Sequence, residues 1–389
     1  MALIFYFPRK RVGGVQNLII NIAVELAGIN QPVKIFDSHG GYVTQALKER
    51  QVDFVGYTVE DDVSTFRADI EDILVITTLE NSCLELLENN KFLKILFWNV
   101  FPSAFEELNL IRHKLIPLLT RFFTYRLLHL FEVNNAICWM DSNGLEYANL
   151  KYKVQAVERF LPVPFNLKND ISSLPYSSSQ AINISYIGRA EVWKIKPFVK
   201  LVRDLDLLSR DVNKKIVVHL ITTDTAAFKE SIEGKFSNIR IVYHADLHGS
   251  KLVSFLKKNI NVNFSMGTSC LESASLGIPT VKMDFTRSDL PKQYQYKWLY
   301  NTTDYCLGRD LDSLGTDLTN GRSIYEILED LDAKFEELSE NSYKYVRENH
   351  SVNIIAPQLL KLSADTSLIA EDFKKYLLRF WMFKVLRRI

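Results

Sequence analysis

Short apolar runs of strand length alternate with helical patterns along nearly the whole chain, and this alternation recurs in two blocks. The apolar runs occupy residues 3–7, 33–36, 54–57, 73–76 and 93–97 in the first block, and 182–187, 216–221, 239–243, 260–264 and 279–283 in the second. Strands that alternate with helices form parallel, doubly wound sheets. The sequence therefore predicts an α/β chain with two such sheets, one in each of two domains.

The segment between the blocks, residues 172–180, is rich in serine and contains Pro175, which is typical of a linker. We expect a first domain at residues 1–170, a second at 181–350, and a C-terminal segment at 351–389. An additional strand is expected at residues 160–165, where the chain leaves the first domain.

Composition excludes several classes of protein. The chain has 389 residues, 47% of them hydrophobic and 24% charged, which is globular rather than disordered composition. Lys and Arg number 47 against 46 Asp and Glu, so the chain lacks the basic excess of a dedicated nucleic-acid binder. No signal peptide and no apolar run long enough to span a bilayer is found, and we expect a cytoplasmic protein.

Cysteine and histidine spacing gives no sign of a metal site. The four cysteines are widely separated, with no Cys-x-x-Cys pair, and the seven histidines form no His-Glu-x-x-His motif. Reduced core thiols are favoured over a disulfide framework. We expect neither a structural metal nor a metal cofactor.

The stretch 263–283 predicts the end of a buried strand, a turn of small residues, a short helix and a new strand. Gly267, Thr268 and Ser269 are expected to open the helix, where free backbone N–H groups attract phosphate. Glu272 follows one turn later, where a carboxylate could reach the hydroxyls of a ribose. This combination indicates a nucleotide-sugar site. The alternative is an ordinary strand–turn–helix capped by Ser and Thr.

A second motif follows another strand, and this one is cationic. Residues 185–189 end an apolar run with Gly188 and Arg189, and Lys194 and Lys196 come shortly after. An Arg and a Lys that project toward a helix-borne phosphate site would neutralise a diphosphate. Either lysine fits this role. The alternatives are a surface salt bridge for Arg189 and a solvated helix start for the lysines.

In the first domain, ligands should bind where the strands end, as in other open parallel sheets. That rule places Gly13, Gly14, His39 and the Trp98–Asn99 turn on the binding side. Gly13 and Gly14 follow the first strand and open a helix, so we expect them to face phosphate. Three side chains at predicted positions near this side are candidates for a general base: His39, Asp37 and Asp141.

These motifs resemble GT-B glycosyltransferases, a family with two Rossmann-like domains facing a cleft. The residues that carry the resemblance are Gly188, Arg189, Lys194, Glu272, Gly277 and Pro279, with Gly13 and Gly14 as the glycine loop of the first domain. The family's pattern implies that Lys194 binds donor phosphates, that Glu272 binds the donor ribose, and that the chain returns to the first domain near residues 351–362. One departure is Phe264, where many retaining members have a second Glu.

The resemblance implies a glycosyltransferase that uses a nucleotide sugar, with a UDP-sugar favoured, and that needs no metal. A lipid-linked or polysaccharide acceptor of bacterial surface glycans is the expected partner. Two alternatives stay open. One is a nucleotide-sugar epimerase of the same architecture, and the other is a non-catalytic protein that binds sugar nucleotides at the membrane.

Two segments have the composition of membrane-contacting helices. Residues 108–131 contain no acidic residue, and basic residues interrupt their apolar and aromatic series. A buried helix with basic ends is an equal alternative, and Pro117 predicts a kink or break. Residues 373–389 also lack acids, and the residues expected at an anionic membrane surface are Lys374, Lys375, Arg379, Phe380, Trp381, Arg387 and Arg388. We therefore expect a peripheral protein at the inner face of the cell membrane.

Overall fold

The computed structural model describes residues 1–8, 13–78, 81–102, 117–167, 181–210, 214–232 and 236–376, with the backbone alone at residues 81 and 117–121. Contacts divide the chain into two compact units. Unit 1 is Met1–Asn166 together with the chain from Ser351 onward, and unit 2 is Leu167–His350.

Unit 1 is built on a six-stranded parallel sheet with the order β3-β2-β1-β4-β5-β6. Its strands are β1 (Leu3–Tyr6), β2 (Val33–Asp37), β3 (Val55–Thr58), β4 (Ile73–Ile76), β5 (Lys94–Asn99) and β6 (Ile137–Trp139). The helices between them are α1 (Gly14–Gly28), α2 (Tyr42–Glu49), α3 (Val59–Asp62), α4 (Asn81–Asn89), α5 (Pro117–Val133) and α6 (Ser142–Tyr152).

Unit 2 repeats this plan with the order β12-β11-β10-β7-β8-β9, in which only the edge pair β11–β12 is antiparallel. Its strands are β7 (Ala181–Ile187), β8 (Lys215–Ile221), β9 (Arg240–His244), β10 (Val262–Ser265), β11 (Thr280–Lys282) and β12 (Lys297–Trp298). Its helices are α7 (Val192–Leu208), α8 (Ala226–Ile232), α9 (Gly249–Asn259), α10 (Thr268–Ala274), α11 (Leu311–Leu314) and α12 (Ile324–Asn349), with a 3₁₀ turn at Leu299–Asn301.

After unit 2 the chain adds helix α13 (Val352–Asp365) to unit 1. A further helix begins at residue 370, and its described part ends at residue 376. Among the described helices, none combines the length and the apolar character needed to cross a membrane.

Both sheets reverse their strand order once. In unit 1 the reversal lies between β1 and β4, and in unit 2 it lies between β7 and β10. The helices that follow these two strands lie on opposite faces of the sheet, so their loops separate and leave a crevice at the carboxyl edge. The topology therefore gives one candidate position for a ligand in each unit.

The central strands are covered on both faces. Every residue of β1 and β4 is buried, as their continuous apolar sequences predict for parallel strands. In unit 2 β10 is equally buried, although Asn263 and Ser265 within it are polar. Such groups need internal hydrogen bonds, because burial without a partner costs free energy.

Sequence patterns located ten of the strands to within about two residues, and the central strand Ile73–Ile76 has the expected bounds. The strand expected at residues 160–165 is wrong, since this segment makes only isolated bridges, from Phe160 to Trp139 and from Phe165 to Ser351. Pro162 and Pro164 have no N–H group to donate to a ladder, which explains the failure.

Within residues 108–131, the described part supports the alternative of a buried helix over a helix at a membrane surface. Leu127, Leu128 and Phe131 of α5 are buried in the core of unit 1. Pro117 is the first described residue of α5. Residues 108–116 lie outside the described residues.

The expected membrane tail begins inside the protein core. Phe373 is fully buried, and its ring lies 5.7 Å from that of Phe131. Phe373 is therefore a core residue and not a membrane residue. Lys374 pairs with Glu88 at 3.3 Å, and Lys375 pairs with Glu371 at 3.2 Å. The other tail residues named for membrane contact, Arg379, Phe380, Trp381, Arg387 and Arg388, lie outside the described residues.

Replacing Gly41 by Ala should destabilise unit 1. A Cβ atom at Gly41 would overlap with the carboxylate of Asp37, which is buried and accepts hydrogen bonds from the backbone of Ser38 and Thr44. Displacing it leaves these donors unpaired, at a cost of about 2 kcal/mol. Chemical denaturation should show this loss. Gly28→Ala is the control, since no atom lies within 4 Å of its Cβ position. An equal response in both variants would contradict the explanation.

Candidate functional site

The ends of β7 and β10 bring the two predicted motifs of unit 2 together. Ile187 pairs with Ser265 in the parallel ladder, so Gly188 and Gly267 leave neighbouring strands at the same edge. Neighbouring strands lie about 4.8 Å apart. Gly188 continues the ladder by donating its N–H to Ile221 at 3.1 Å. The site thus lies at the strand-order reversal of unit 2.

Gly267 shapes the turn into α10. Its φ of +66° lies in the region that favours glycine, and no atom lies within 4 Å of its Cβ position. Its N–H donates to the carbonyl of Leu307 at 2.7 Å. No side chain caps α10, so the first helical N–H groups, those of Thr268 and Ser269, are available to a ligand.

Glu272 lies on the same side of α10 as this open start. It follows Thr268 by four residues and Ser269 by three, which places the three side chains on one helix face. Thr268 is exposed, and Ser269 and Glu272 are partly exposed. The predicted helix start and the predicted carboxylate therefore share one accessible surface.

Lys194 crosses directly over the end of β7. A Cβ atom at Gly188 would lie 3.2 Å from Cδ and 3.8 Å from Nζ of Lys194, so the glycine makes room for this side chain. Lys194 is only 9% exposed. Within the described residues its ammonium has no hydrogen bond or ion pair, and its contact is the face of Trp193, 5.0 Å from the ring centroid.

Burial lowers the pKa of Lys194, and the positive charge of Arg189 adds to this effect, while Glu191 opposes it. A buried cation without an acidic partner is costly in the empty protein. An anionic ligand would supply the missing charge.

Arg189 and Lys196 are held differently from Lys194. Arg189 is 65% exposed and pairs with Glu191 at 3.4 Å. Lys196 pairs with Asp289 at 2.7 Å on the surface. Of the two lysines left open by the sequence, Lys194 is the one that lies over the strand end.

A buried polar chain connects the sheet to α10 beneath this surface. Ser185 donates to Asn263 at 2.9 Å, Asn263 donates to Ser265 at 2.6 Å, and Ser265 contacts the thiol of Cys270 at 3.4 Å. Burial raises the pKa of Cys270 to about 12, so this thiol stays protonated. Sequence analysis missed this chain, although polar residues inside apolar strands were its signal.

Lys282, at the end of β11, is not a second free cation. Its ammonium pairs with the buried carboxylate of Asp284 at 2.6 Å. Burial acts to lower the pKa of Lys282, but the neighbouring Cys306 and Asp284 raise it overall. Asp284 also accepts the N–H of Arg309 at 2.9 Å. This pair is internally neutral.

In unit 1 the predicted glycines open α1 as expected from the sequence. Gly13 precedes the helix without a side-chain cap, and no atom lies within 4 Å of the Cβ position of Gly14. The Oε1 atom of Gln16 would lie 2.8 Å from a Cβ atom at Gly13. The backbone of this helix start is therefore partly covered at Gly13 and open at Gly14.

Two of the three candidate bases stabilise turns. Asp141 caps α6 by accepting the N–H of Asn143 at 3.0 Å, and Asp37 holds the turn before α2. Burial raises the pKa of Asp37, although its backbone hydrogen bonds act to lower it. His39 is exposed, and its backbone N–H donates to Glu60 at 3.0 Å.

The carboxyl ends of β4 and β5 carry a polar group that sequence analysis largely missed. The buried side chains of Thr77, Thr78 and Asn99 have no hydrogen-bond partner within the described chain. Only the Trp98–Asn99 turn was expected on this side.

Among the described residues, no three His, Cys, Asp or Glu side chains lie close enough together to hold a metal ion.

Phe264, where the family pattern has a second Glu, faces the core. Its ring is fully buried and lies 5.7 Å from that of Tyr296 in an edge-to-face contact. The position eight residues before Glu272 therefore contributes to packing in this chain and not to the surface around Glu272.

No family model matches the chain, and no curated protein matches its sequence. Solved structures do match its fold. A glycosyltransferase from Rickettsia africae ESF-5 has 14% identity over 93% of this chain and 97% of its own, with a TM-score of 0.59. Anabaena HepE in complex with UDP has 12% identity over 93% and 99%, with a TM-score of 0.58. A variant of S. aureus TarM in complex with fondaparinux, α-GlcNAc-glycerol and UDP has 10% identity over 93% and 99%, with a TM-score of 0.53.

The chain has the GT-B fold. The two doubly wound sheets expected from the sequence are confirmed, and the structural neighbours are glycosyltransferases. An amphipathic helix beyond residue 376 stays a prediction. At the reversal between β7 and β10, Arg189 and Lys194 follow one strand and α10 follows its neighbour.

Replacing Lys194 by Met should stabilise the ligand-free protein at neutral pH. Because burial lowers its pKa, Lys194 binds its proton more weakly when folded than when unfolded, and the charged form disfavours folding at every pH below the folded pKa. Removing the charge should raise Tm by roughly 2 °C, as about 1 kcal/mol does in a protein of this size.

Lys196→Met is the matched control, because its exposed ion pair with Asp289 contributes little. Differential scanning calorimetry gives both values. A lower Tm for Lys194→Met than for the wild type would contradict the assignment of an uncompensated buried charge.

Proposed function

We propose that the protein is a glycosyltransferase that moves a sugar from a UDP-sugar to a lipid-linked or polysaccharide acceptor in bacterial surface-glycan synthesis. The observation that carries the proposal is the buried ammonium of Lys194, without an acidic partner among the described residues, at the strand-order reversal of unit 2. A nucleoside diphosphate supplies the charge that this position lacks.

In this proposal the diphosphate contacts Lys194, Arg189 and the N–H groups that open α10. As the glycosidic bond breaks, negative charge grows on the leaving diphosphate. Fixed cations and backbone dipoles stabilise that charge without having to reorganise. Lys194 is the most effective of these groups, because its low exposure weakens solvent screening.

Glu272 is proposed to accept hydrogen bonds from the donor ribose. The carboxylate lies one turn beyond the start of α10, so a nucleotide with its phosphates at Gly267–Ser269 has its ribose within reach. The preference for uridine is supported by UDP in the complexes of HepE and TarM.

Two features of unit 1 also have proposed roles, the glycines that open α1 and the side chain of His39. Gly13 and Gly14 offer backbone N–H groups to the donor, and Gly14 is the more open of the two. His39 is the remaining candidate base, because backbone donors already occupy the carboxylates of Asp37 and Asp141. Its exposed side chain is free to approach an acceptor hydroxyl.

UDP should raise the Tm of the wild type by mass action, and Lys194→Met should abolish most of this shift. Losing one charge-assisted contact costs about 1.5–3 kcal/mol, or roughly 10- to 100-fold in Kd. Lys196→Met should bind UDP like the wild type, and Glu272→Gln should weaken UDP more than pyrophosphate. Thermal-shift titrations measure all four proteins.

Turnover of a panel of UDP-, GDP- and CMP-sugars then decides the activity. Transfer or hydrolysis of a UDP-sugar supports the proposal. Epimerisation alone would establish an epimerase, and binding without turnover would establish a non-catalytic protein. If Lys194→Met bound UDP as tightly as the wild type, the donor site would be elsewhere.

We further propose that the chain acts at the inner face of the cell membrane through its C-terminal residues. Residues 377–389 contain basic and aromatic side chains and no acid, a composition suited to anionic headgroups. The chain just before them is fixed to unit 1, since Phe373 is buried and the hydroxyl of Tyr376 donates to the carbonyl of Phe123 at 2.5 Å.

A truncation after Tyr376 should bind anionic vesicles at least tenfold more weakly than the full chain. Four basic residues are removed, Arg379, Lys384, Arg387 and Arg388, and each contributes about 1 kcal/mol near an anionic surface. Co-sedimentation with vesicles that contain 30% phosphatidylserine tests this, and neutral vesicles are the control. Retaining Phe373 and Tyr376 keeps the core intact. Equal sedimentation of both proteins would contradict the proposal.

A further inference from the structure

Lys194 lacks an ion pair even though an acid lies nearby. Glu191 precedes it by three residues at the start of α7, a spacing at which acid and base side chains often meet. In the structure Glu191 turns elsewhere. Its Oε2 atom accepts the indole N–H of Trp193 at 2.5 Å, and its Oε1 atom pairs with Arg189 at 3.4 Å.

Trp193 contacts both charged groups. The face of its ring lies 5.0 Å from the ammonium of Lys194, and its N–H holds the carboxylate of Glu191. The ring of Phe285, at 5.5 Å and 67°, packs against it edge to face. One indole thus contacts the cation with its π-face and the anion with its edge.

We propose that Trp193 is a positioning residue that keeps Lys194 unpaired, by holding the ammonium on its ring and by holding Glu191 away from it. The inference rests on the proposed function, in which the ammonium contacts a diphosphate. Glu191 would otherwise compete with the ligand for Lys194. A competing internal ion pair reduces the binding-competent fraction, and the apparent Kd rises by the inverse of that fraction.

The decisive variant is Trp193→Phe, which keeps an aromatic face and removes the N–H group. Glu191 then loses one of its two partners and can close on Lys194. If the pair forms in nine molecules of ten, the Kd for UDP rises about tenfold. The Kd for uridine, which has no phosphate, should stay unchanged. Isothermal titration calorimetry gives both values.

The double variant Trp193→Phe with Glu191→Gln separates competition from simple loss of packing. Glutamine cannot form the ion pair, so UDP affinity should return to within about twofold of the Glu191→Gln single variant. Trp193→Leu removes the ring face as well, and Glu191→Gln should restore only part of its affinity. A Trp193→Phe variant that binds UDP normally, or one that Glu191→Gln fails to restore, would overturn the inference.

A ligand-free readout makes this test independent of the donor assignment. Titration of Lys194 by NMR, with ¹³C-labelled lysine, follows its ammonium in the folded protein. The groups that act on it are Arg189, Glu191 and Cys270. Trp193→Phe should raise the pKa of Lys194 above its wild-type value, and Glu191→Gln should reverse the rise. An unchanged pKa would overturn the positioning role, whereas a wild type that binds no UDP would overturn only the proposed function.

Discussion

The parallel pairing of β7 with β10 is the constraint on which the site of unit 2 depends. Because Ile187 and Ser265 are partners in that ladder, Gly188 and Gly267 leave their strands side by side. Paired residues of the two strands lie 78 positions apart in the sequence. The helices that follow, α7 and α10, then start at the same edge. Neither motif alone combines a buried cation with uncapped helical N–H groups. The register of one strand pair brings a cation from the first and free N–H groups from the second to a common surface.

The buried polar and charged side chains near this edge differ in whether they have a hydrogen-bonding or oppositely charged partner. Asn263 and Ser265 are satisfied by a continuous hydrogen-bonded chain, and Lys282 is neutralised by Asp284. Lys194 has no such acid in the described structure, and its closest compensation is the π-face of Trp193. Cation–π attraction is weaker than a buried ion pair but leaves the charge available. The ammonium of Lys194 thus differs from the paired groups around it, because its charge has no acidic partner within the described residues.

Sequence reasoning succeeded where the signals were local. Apolar runs gave the central strands, and Gly267 with Thr268 and Ser269 gave the start of α10, because glycine is required where φ is positive. It failed where the outcome depended on distant contacts. The short strands β6 and β12 were missed. The choice between Lys194 and Lys196 depends on Asp289, almost a hundred residues away, and the turn-holding roles of Asp37 and Asp141 depend on backbone donors that composition does not reveal.

The two sheets share one strand order and differ in the chemistry at their carboxyl edges. In unit 2 the reversal carries Lys194 and Arg189, which suit an anionic ligand. In unit 1 the ends of β4 and β5 carry Thr77, Thr78 and Asn99, buried neutral groups that lack partners among the described residues. Neutral donors and acceptors discriminate hydroxyl patterns, whereas cations recognise phosphate through charge. The same topology therefore presents two kinds of chemistry at its strand ends, cationic in unit 2 and neutral polar in unit 1, and this difference lies in the side chains and not in the fold.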